Sequence, residues 1–263
     1  MIGAIAGDVI GSVHEGTMQK VKDFPLFVPW STFTDDSVLT IAVACAVRNG
    51  LDYASEIRRW GRAYPDAGYG GWFYRWMLDD DAGPYGSFGN GSAMRVAAIG
   101  WAFQDLDVVL REAKRSAEVT HDHPEGIKGA QAIAGAILFA RLGRSKEEIA
   151  ALLSDEFGYD LTVGLSERRQ TSGFDVTCQV TVPDATVAFL ESTDFEDTIR
   201  NAISLGGDAD TLACIAGAIA EAYYGEVPSA IQREVLGRLD DTLRDEVVEF
   251  AAAFGVPSSP VDR

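Results

Sequence analysis

Cysteine is scarce in this chain, which has 263 residues and only three cysteines, Cys45, Cys178 and Cys214. Their odd number and wide spacing argue against a disulfide framework and against a zinc site built from cysteine pairs. Cys45 and Cys214 lie in apolar stretches typical of helices, where a buried thiol is more common than a nucleophile. We therefore expect a protein of a reducing compartment, the cytoplasm.

Hydrophobic runs long enough to cross a bilayer are also missing. Stretches such as AIAGAILFA at 132–140 are much shorter than the roughly 20 residues that a transmembrane helix needs. The apolar N-terminal sequence MIGAIAGDVIGSVHEG has no basic segment and contains Asp8, which favours a core helix over a signal peptide. The sequence thus predicts no membrane association.

Basic residues are few: 22 lysines and arginines face 40 aspartates and glutamates, and the formal net charge is −18. A surface this acidic repels a phosphate backbone, which argues against broad nucleic-acid binding. An anionic ligand would have to be held by a local device, namely a bound cation, a helix N-terminus or a glycine loop.

Strand-like segments are rare, because helical patterns and helix caps run through most of the chain. The caps include a predicted capping box of Ser145 with Glu148 and predicted helix ends at Gly50, Gly143 and Gly225. Only TCQVTVP at 177–183 and, more weakly, TVGL at 162–165 have the character of a strand. No linker or low-complexity segment divides the sequence. We predict one all-α domain over 1–263, folded as a compact orthogonal multi-helix bundle, and we expect a monomer.

The N-terminal segment carries glycine at every fourth position, as Gly3, Gly7 and Gly11. Residues at this spacing lie near one face of a helix. Each glycine costs about 1 kcal/mol in a helix interior relative to alanine. Three of them near one face predict that another helix approaches closely.

Two acidic clusters stand at the start of predicted helices. In the first, Thr34, Asp35 and Asp36 are explained as well by a plain capped helix start as by half of a metal site. The second, GGDADT at 206–211, has two carboxylates and a hydroxyl where one cap would suffice. All these donors are oxygen atoms, which suit Mg²⁺ or Mn²⁺ better than zinc. Four carboxylates would favour a two-metal site if the clusters meet, which the sequence alone does not establish.

A third candidate is the glycine-rich segment YGSFGNGSAMR at 85–95. Its backbone N–H groups could hold a pyrophosphate and Phe88 or Tyr85 could stack on a base, although an ordinary loop also fits. His121 and His123 have no third metal ligand at a suitable spacing, so a surface pair before a helix is the simpler interpretation. If one of them contacts a ligand, we favour His121.

Four blocks, in this order, resemble the ADP-ribosylglycohydrolase family. They are GAIAGDVIGSVHEG (3–16), FTDDSVLT (33–40), FGNGSAMR (88–95) with THDHPEG (120–126), and LGGDADTLACIAGAIAEAYYG (205–225). The blocks span nearly the whole chain, and the pairing of FTDD with GGDxDT is specific. The resemblance implies an all-α domain with a central metal-binding cleft that holds two Mg²⁺ or Mn²⁺ ions.

The resemblance also assigns expected roles to individual residues. The metal ligands would be Thr34, Asp35, Asp36, Asp208, Asp210 and Thr211. The diphosphate, distal ribose and adenine of the ligand would be held by Gly86, Ser87, Phe88, Gly89 and Asn90, and His121 would line the same cleft. Glu15 matches a glutamate that lies beside the metals in the serine-type hydrolases of the family.

The implied reaction is hydrolysis of the bond at C1″ of the distal ribose, which releases ADP-ribose from an ADP-ribosylated protein or a small ADP-ribose derivative. Metals would orient the ribose and activate water, and carboxylates would stabilise an oxocarbenium-like state. Glu15, Asp35, Asp36 or Asp208 would transfer the proton, and the sequence does not select among them.

Two other functions fit the same residues. One is a non-hydrolytic protein that binds ADP-ribose or a nucleotide, against which the complete set of metal ligands argues. The other is a two-metal phosphohydrolase that attacks the pyrophosphate, whose products would be AMP and ribose phosphate. The acceptor is open among arginine, serine and O-acetyl linkages, and Glu15 leans weakly toward serine.

Overall fold

Residues 1–257 are described in the computed structural model, and their regular elements are helices, with no β-strand in that part of the chain. The helices are α1 (Ile2–Gly11), α2 (Asp35–Asn49), α3 (Tyr53–Ala63), α4 (Gly71–Leu78), α5 (Gly91–Met94), α6 (Ala97–Ala102), α7 (Leu106–Glu118), α8 (Pro124–Arg141), α9 (Lys146–Ala151), α10 (Leu165–Thr171), α11 (Cys178–Leu190), α12 (Phe195–Ile203), α13 (Ala209–Tyr224), α14 (Ser229–Leu236) and α15 (Asp241–Phe254). One wider, π-helical turn, Leu152–Glu156, continues α9. The predicted all-α class is confirmed.

Helices α1 and α13 form the centre of the bundle, and every residue of α1 is buried. They pack almost backbone to backbone. A Cβ atom at Gly7 would lie 2.0 Å from the carbonyl oxygen of Ala213, and one at Gly3 would lie 2.5 Å from that of Gly217. Because glycine has no Cβ, the two backbones can approach this closely. The close helix contact predicted from the glycine repeat is therefore confirmed.

This central pair brings two helix starts to one place. The C-terminal end of α1 lies beside the start of α13, where a Cβ atom at Gly11 would lie 2.4 Å from the Cα atom of Asp210. Helix α2 packs against both α1 and α13. The first turns of α2 and α13, which carry the two acidic clusters, thus face the same region.

The segment 177–183, predicted as a strand, is instead the start of α11, so that prediction was wrong. Its valines and threonines favour strands, but every residue from Thr181 to Phe189 is buried, and packing outweighs local propensity. Pro183 lies inside the helix and removes one hydrogen bond, to the carbonyl of Gln179. Gln179 is exposed, so water can bind that carbonyl.

The weaker strand prediction at 162–165 was also wrong. Residues 162–164 form a loop, and Leu165 begins α10. The extended pairing that does occur in residues 1–257 is an isolated antiparallel bridge between Thr177 and Gly89. It links the segment before α11 to the glycine-rich segment at 85–95.

No helix within residues 1–257 has both the length and the hydropathy that a membrane crossing requires. All three cysteines are buried and free, as the spacing of cysteines in the sequence suggested.

Candidate functional site

One cavity of about 640 Å³ opens over the first turns of α2 and α13. Its lining includes most of the residues singled out from the sequence, which are Glu15, Asp35, Asp36, Asp208, Asp210, Thr211, His121 and the segment 86–90. The carboxylates form one part of the lining and the glycine-rich segment another, and the two parts meet where the side-chain amide of Asn90 donates to Asp208. We call these the carboxylate end and the glycine-loop end.

The start of α2 serves both as a capped helix start and as one wall of the carboxylate end. Thr34 is the N-cap, and its hydroxyl accepts a hydrogen bond from the backbone N–H of Asp36 at 3.3 Å. The same hydroxyl donates to Asp8 at 2.7 Å, and Asp8 also accepts from the backbone N–H groups of Thr34 at 2.9 Å and Ser37 at 3.0 Å. Asp8 on α1 therefore holds the first turn of α2 in place.

The start of α13 depends on two glycines. Gly206 and Gly207 have φ angles of 72° and 76°, which side-chain-bearing residues rarely adopt. The turn that they allow presents Asp208 to the cavity, where its Oδ2 accepts a hydrogen bond of 2.6 Å from the side-chain amide of Asn90. Within the first turn of α13, the Thr211 hydroxyl donates to Asp36 Oδ2 at 3.2 Å.

That bond between Thr211 and Asp36 joins clusters that are 175 residues apart in sequence. Carboxylate oxygens of Asp8, Asp36 and Asp210 lie within 4.8 Å of one another, and so do those of Glu15, Asp208 and Asp210. Asp210 belongs to both groups. The sequence could name four of these acids, Glu15, Asp36, Asp208 and Asp210, but their convergence required the packing of α1, α2 and α13.

The clustered carboxylates perturb one another. Burial first, and then the charge of Asp210, raises the pKa of Asp36 well above its usual value. Burial and the charge of Asp8 raise the pKa of Asp35 to about 8. Oδ1 of Asp36 is buried without a hydrogen-bond partner in residues 1–257. Cations that prefer oxygen ligands would relieve both the repulsion and the missing contact, so the donor set fits Mg²⁺ or Mn²⁺.

Asp8 is the member of this cluster that sequence reasoning missed as a site residue. It is completely buried and belongs to one of the two carboxylate groups. The available signal was a single charged residue inside the otherwise apolar helix IGAIAGDVIG. Thr34, predicted as a ligand, does not line the cavity. Its hydroxyl lies 3.4 Å from Asp36 Oδ2, so metal ligation by Thr34 stays a prediction.

The glycine-loop end is pinned on both sides by hydrogen bonds. The N–H of Gly86, a residue with φ of 69°, donates to Asp122 at 2.7 Å. The N–H of Asn90 donates to the carbonyl of Val176 at 2.7 Å. Between these anchors, Phe88 keeps 45% of its surface exposed, and its ring lies 5.2 Å from that of His123. An aromatic face is thus available to a base at this end.

The two histidines of THDHPEG do not form the surface pair that was the simpler interpretation of the sequence, because His121 is buried. His123 is the N-cap of α8, where its Nδ1 accepts from the N–H of Glu125 at 3.1 Å. His121 is buried and lines the cavity. Burial, reinforced by the charge of Arg95, holds the pKa of His121 well below its usual value, so the ring is neutral at pH 7.

Two exposed aromatic residues on the rim were not found from the sequence. Trp72, 70% exposed, stands at the start of α4, and Phe174, 58% exposed, lies in the loop before α11. Both line the cavity. The Cα atom of Phe174 would lie 3.1 Å from a Cβ atom at Gly207, so this rim residue flanks the carboxylate end.

Comparison with known proteins agrees with this geometry. A family model described as ADP-ribosylglycohydrolase matches residues 1–259. The chain is 28% identical to ADP-ribosylhydrolase ARH3 of Homo sapiens, over 90% of this chain and 88% of the human protein. It is 26% identical to ADP-ribosylarginine hydrolase Tri1 of Pseudomonas putida, over 86% of this chain and 69% of that protein. A solved structure titled "ADP-ribosylglycohydrolase-related protein complex" has a TM-score of 0.68 and 26% identity, and the match covers 96% of this chain and 95% of that one.

Proposed function

The chain belongs to the ADP-ribosylglycohydrolase family, and from this premise we propose that it is a metal-dependent hydrolase of ADP-ribosyl linkages. Its reaction is cleavage of the bond at C1″ of the distal ribose, with release of ADP-ribose. The observation that carries this proposal is the hydrogen bond between Thr211 and Asp36. It unites the two acidic clusters in a cavity that the glycine loop also lines. The similarity to ADP-ribosylhydrolase ARH3 and ADP-ribosylarginine hydrolase Tri1 supports the reaction class.

The proposed metal ligands are oxygen donors of the two helix starts, namely Thr34, Asp35, Asp36, Asp208, Asp210 and Thr211. When bound, two Mg²⁺ or Mn²⁺ ions would supply Lewis-acid chemistry and lower the pKa of a bound water. The support for two ions is that the carboxylates form two groups that share Asp210. Asp8 would hold the first turn of α2 in place and would not be a metal ligand, because its oxygens already accept hydrogen bonds from that turn.

We assign proton transfer to Glu15. Its side chain accepts no hydrogen bond from residues 1–257 and is exposed at the cavity wall, so it can move toward a reacting group. Partial burial and the charges of Asp208 and Asp8 raise its pKa, which brings it nearer to the value a general acid or base needs at neutral pH. By contrast, Asp36 and Asp208 each accept a hydrogen bond that fixes them.

The glycine-loop end would bind the diphosphate and adenine. Few of its backbone donors are free, because the N–H groups of Gly86, Gly89 and Asn90 already donate to protein oxygens. The remaining candidates are the N–H of Phe88, the hydroxyl of Ser87 and the imidazole of His121. Phe88 would also stack on the adenine. This end therefore holds the ligand with a small number of neutral donors.

The test is a panel of defined conjugates, carrying ADP-ribose on arginine, on serine and as O-acetyl-ADP-ribose, with detection of products by mass. We expect ADP-ribose to be released in Mg²⁺ or Mn²⁺ and to stop in EDTA. We expect Glu15→Gln to lose turnover while it still binds ADP-ribose. Asp107→Asn, an exposed acid at the start of α7, is the matched control and should behave as the wild type.

Two results would contradict the proposal. Full activity in EDTA would remove the metal requirement. Formation of AMP and ribose phosphate would show attack on the pyrophosphate instead of on C1″. The panel also identifies the acceptor, since the conjugate with the highest kcat/KM defines the linkage.

A further inference from the structure

Arg95 is a buried cation without an anionic partner. It is completely buried and lies against the glycine-loop end of the cavity. Its Nη2 donates to the carbonyl of Ser116 at 2.7 Å and to the hydroxyl of Thr120 at 3.0 Å, whereas Nε and Nη1 have no partner in residues 1–257. Burial lowers the pKa of Arg95 to about 10, so it stays charged at neutral pH. An unpaired buried charge is costly, which suggests that Arg95 does more than fill space.

The Thr120 hydroxyl connects Arg95 to the cavity. Thr120 is completely buried, and its Oγ1 lies 2.7 Å from Nδ1 of His121. Arginine has donors only, so the hydroxyl accepts from Arg95 and its own hydrogen needs another acceptor. Within residues 1–257 that acceptor is Nδ1 of His121. An Nδ1 that accepts carries no proton, so the neutral imidazole carries its hydrogen on Nε2.

Nε2 of His121 is directed at the glycine loop. A Cβ atom at Gly91 would lie 3.3 Å from Nε2, and one at Gly89 would lie 3.6 Å from it. The absence of side chains at these positions leaves room for the ring. His121 lines the cavity, and its Nε2 donates to no protein atom in the described part of the chain. The Nε2–H group is thus available to an oxygen atom of a ligand.

We propose that Arg95 and Thr120 are positioning residues that act through His121. The Arg95 guanidinium orients the Thr120 hydroxyl, and this hydroxyl holds His121 as the Nε2–H tautomer with its single N–H group facing the ligand. This proposal rests on the proposed function, because the oxygen that the N–H group meets is one of the diphosphate or ribose oxygens of the ADP-ribosyl group. In this proposal the buried cation Arg95 has a role, because it fixes through Thr120 one of the few donors that the loop region offers to a ligand.

The tautomer is measured directly by long-range ¹H–¹⁵N NMR of the metal-loaded protein without ligand. The chain has three histidines, and the signals of His121 are those lost in His121→Gln. We expect a protonated Nε2 and an Nδ1 that accepts a hydrogen bond, both in the wild type and in Thr120→Ser, which keeps the hydroxyl. In Thr120→Val, which has the same shape without the hydroxyl, the Nδ1 resonance should move toward that of an acceptor without a donor.

Binding supplies the second measurement. Thr120→Val should bind ADP-ribose about fivefold more weakly, the factor that corresponds to one ordinary hydrogen bond. The KM of the conjugate should rise with it, and kcat should change little because the carboxylate end is intact. Thr120→Ser should restore the affinity. A loss of folding in Thr120→Val leaves the proposal testable, since the tautomer of the wild type decides it.

The outcomes separate this proposal from the proposed function. A proton on Nδ1 in the wild type would overturn the positioning role, even in an active hydrolase. Equal affinity and equal ¹⁵N signals in Thr120→Val and Thr120→Ser would also overturn it. Conversely, a protein with the Nε2–H tautomer that releases no ADP-ribose from any conjugate would refute the proposed function alone.

Discussion

The carboxylate end and the glycine-loop end of the cavity differ in charge and in the way the protein supports them. The first gathers acids from α1, α2 and α13, and its geometry depends on helices whose backbones touch at Gly7 and Gly11. The second is a loop held by side-chain and backbone hydrogen bonds above the buried cation Arg95. Acids suited to metals and neutral donors suited to a diphosphate thus come from different elements, which meet where the side-chain amide of Asn90 donates to Asp208. Changes at the carboxylate end should therefore affect turnover, and changes at the glycine-loop end should affect binding.

The largest effect is expected from Asp36→Asn at the carboxylate end. We expect kcat to fall by about 10³-fold or more, because the loss of a metal ligand removes charge stabilisation worth several kcal/mol. The metal-free variant should be as stable as the wild type or more stable, since one of several buried, mutually repelling carboxylates is gone. Steady-state kinetics and thermal unfolding in EDTA check the two parts.

The control for Asp36→Asn is the rise in Tm on addition of Mg²⁺ or Mn²⁺. The wild type should gain stability by binding the ion in its folded state, and the variant should gain much less. Equal gains in both proteins would show that Asp36 does not hold the metal.

Gly7→Ala tests whether the close packing of α1 against α13 supports the carboxylate end. The new Cβ atom would lie 2.0 Å from the carbonyl oxygen of Ala213 on a neighbouring backbone, so α1 and α13 must move apart. We expect a loss of about 3 kcal/mol in the free energy of unfolding, at the upper end of overpacking effects, together with loss of activity. Urea unfolding monitored by circular dichroism measures the change.

Gly135→Ala is the matched control, because Gly135 is also buried inside a helix. Its Cβ atom would first meet the end of the Leu152 side chain, at 3.3 Å, which can shift. This variant should differ from the wild type by no more than about 1 kcal/mol, because alanine favours the helix. A similar loss in both variants would refute the role given to the close contact of α1 and α13.

The pH dependence of stability distinguishes the two ends without a mutation. Burial and Asp8 raise the pKa of Asp35 to about 8 in the folded state, whereas an unfolded aspartate has a pKa of about 3.9. Between these values the folded state binds the extra proton, so stability falls as pH rises. In EDTA, Asp35 alone should contribute a loss of about 1 kcal/mol between pH 7 and 8, measured by urea unfolding.

The loss is read as the difference between EDTA and saturating Mg²⁺ or Mn²⁺. The pKa values of His14, His121 and the N-terminal amine of Met1 are lowered by burial, so these groups act in the opposite direction, and they do so equally in both conditions. Saturating Mg²⁺ or Mn²⁺ should remove the loss, since metal binding favours the charged carboxylates. The same pH dependence of stability in EDTA and in saturating metal would contradict the account of the carboxylate end.

The smallest effect is expected from Phe88→Ala at the glycine-loop end. Phe88 is 45% exposed, so its removal should leave the free energy of unfolding within about 0.5 kcal/mol of the wild type. Loss of base stacking should weaken ADP-ribose binding about tenfold, with kcat nearly unchanged. Calorimetric titration measures the dissociation constant of ADP-ribose for the variant and the wild type. Leu142→Ala, an exposed apolar residue after α8, is the control.

Local features were the part of the fold that the sequence predicted best. The capping box of Ser145 and Glu148 is present, and Gly50 and Gly225 end their helices in the left-handed conformation. Such signals involve atoms only a few residues apart, so the sequence contains all that decides them. The strand predicted at 177–183 was wrong for the complementary reason, since burial of α11 among distant segments overrode a local preference.

The site shows the same division. Asp208 and Asp210 could be named from the sequence because two carboxylates and a hydroxyl at a helix start exceed the needs of a cap, whereas Asp35 and Asp36 were named by resemblance to a family motif. Asp8 could not, because its neighbours in sequence are apolar and only the fold reveals that it faces α2. The connection of Arg95 through Thr120 to His121 likewise depends on side chains of different helices and loops.

The sequence by itself determined the all-α class, the oxygen-only donor set and the glycines that permit close helix contact. Each of these follows from residue types and short spacings. The tertiary structure decided that the two acidic clusters form one carboxylate end, that Asp8 supports it, and that a buried cation lies under the glycine loop. These are distances between segments far apart in the chain, and they are fixed only when α1 and α13 pack together and exclude water.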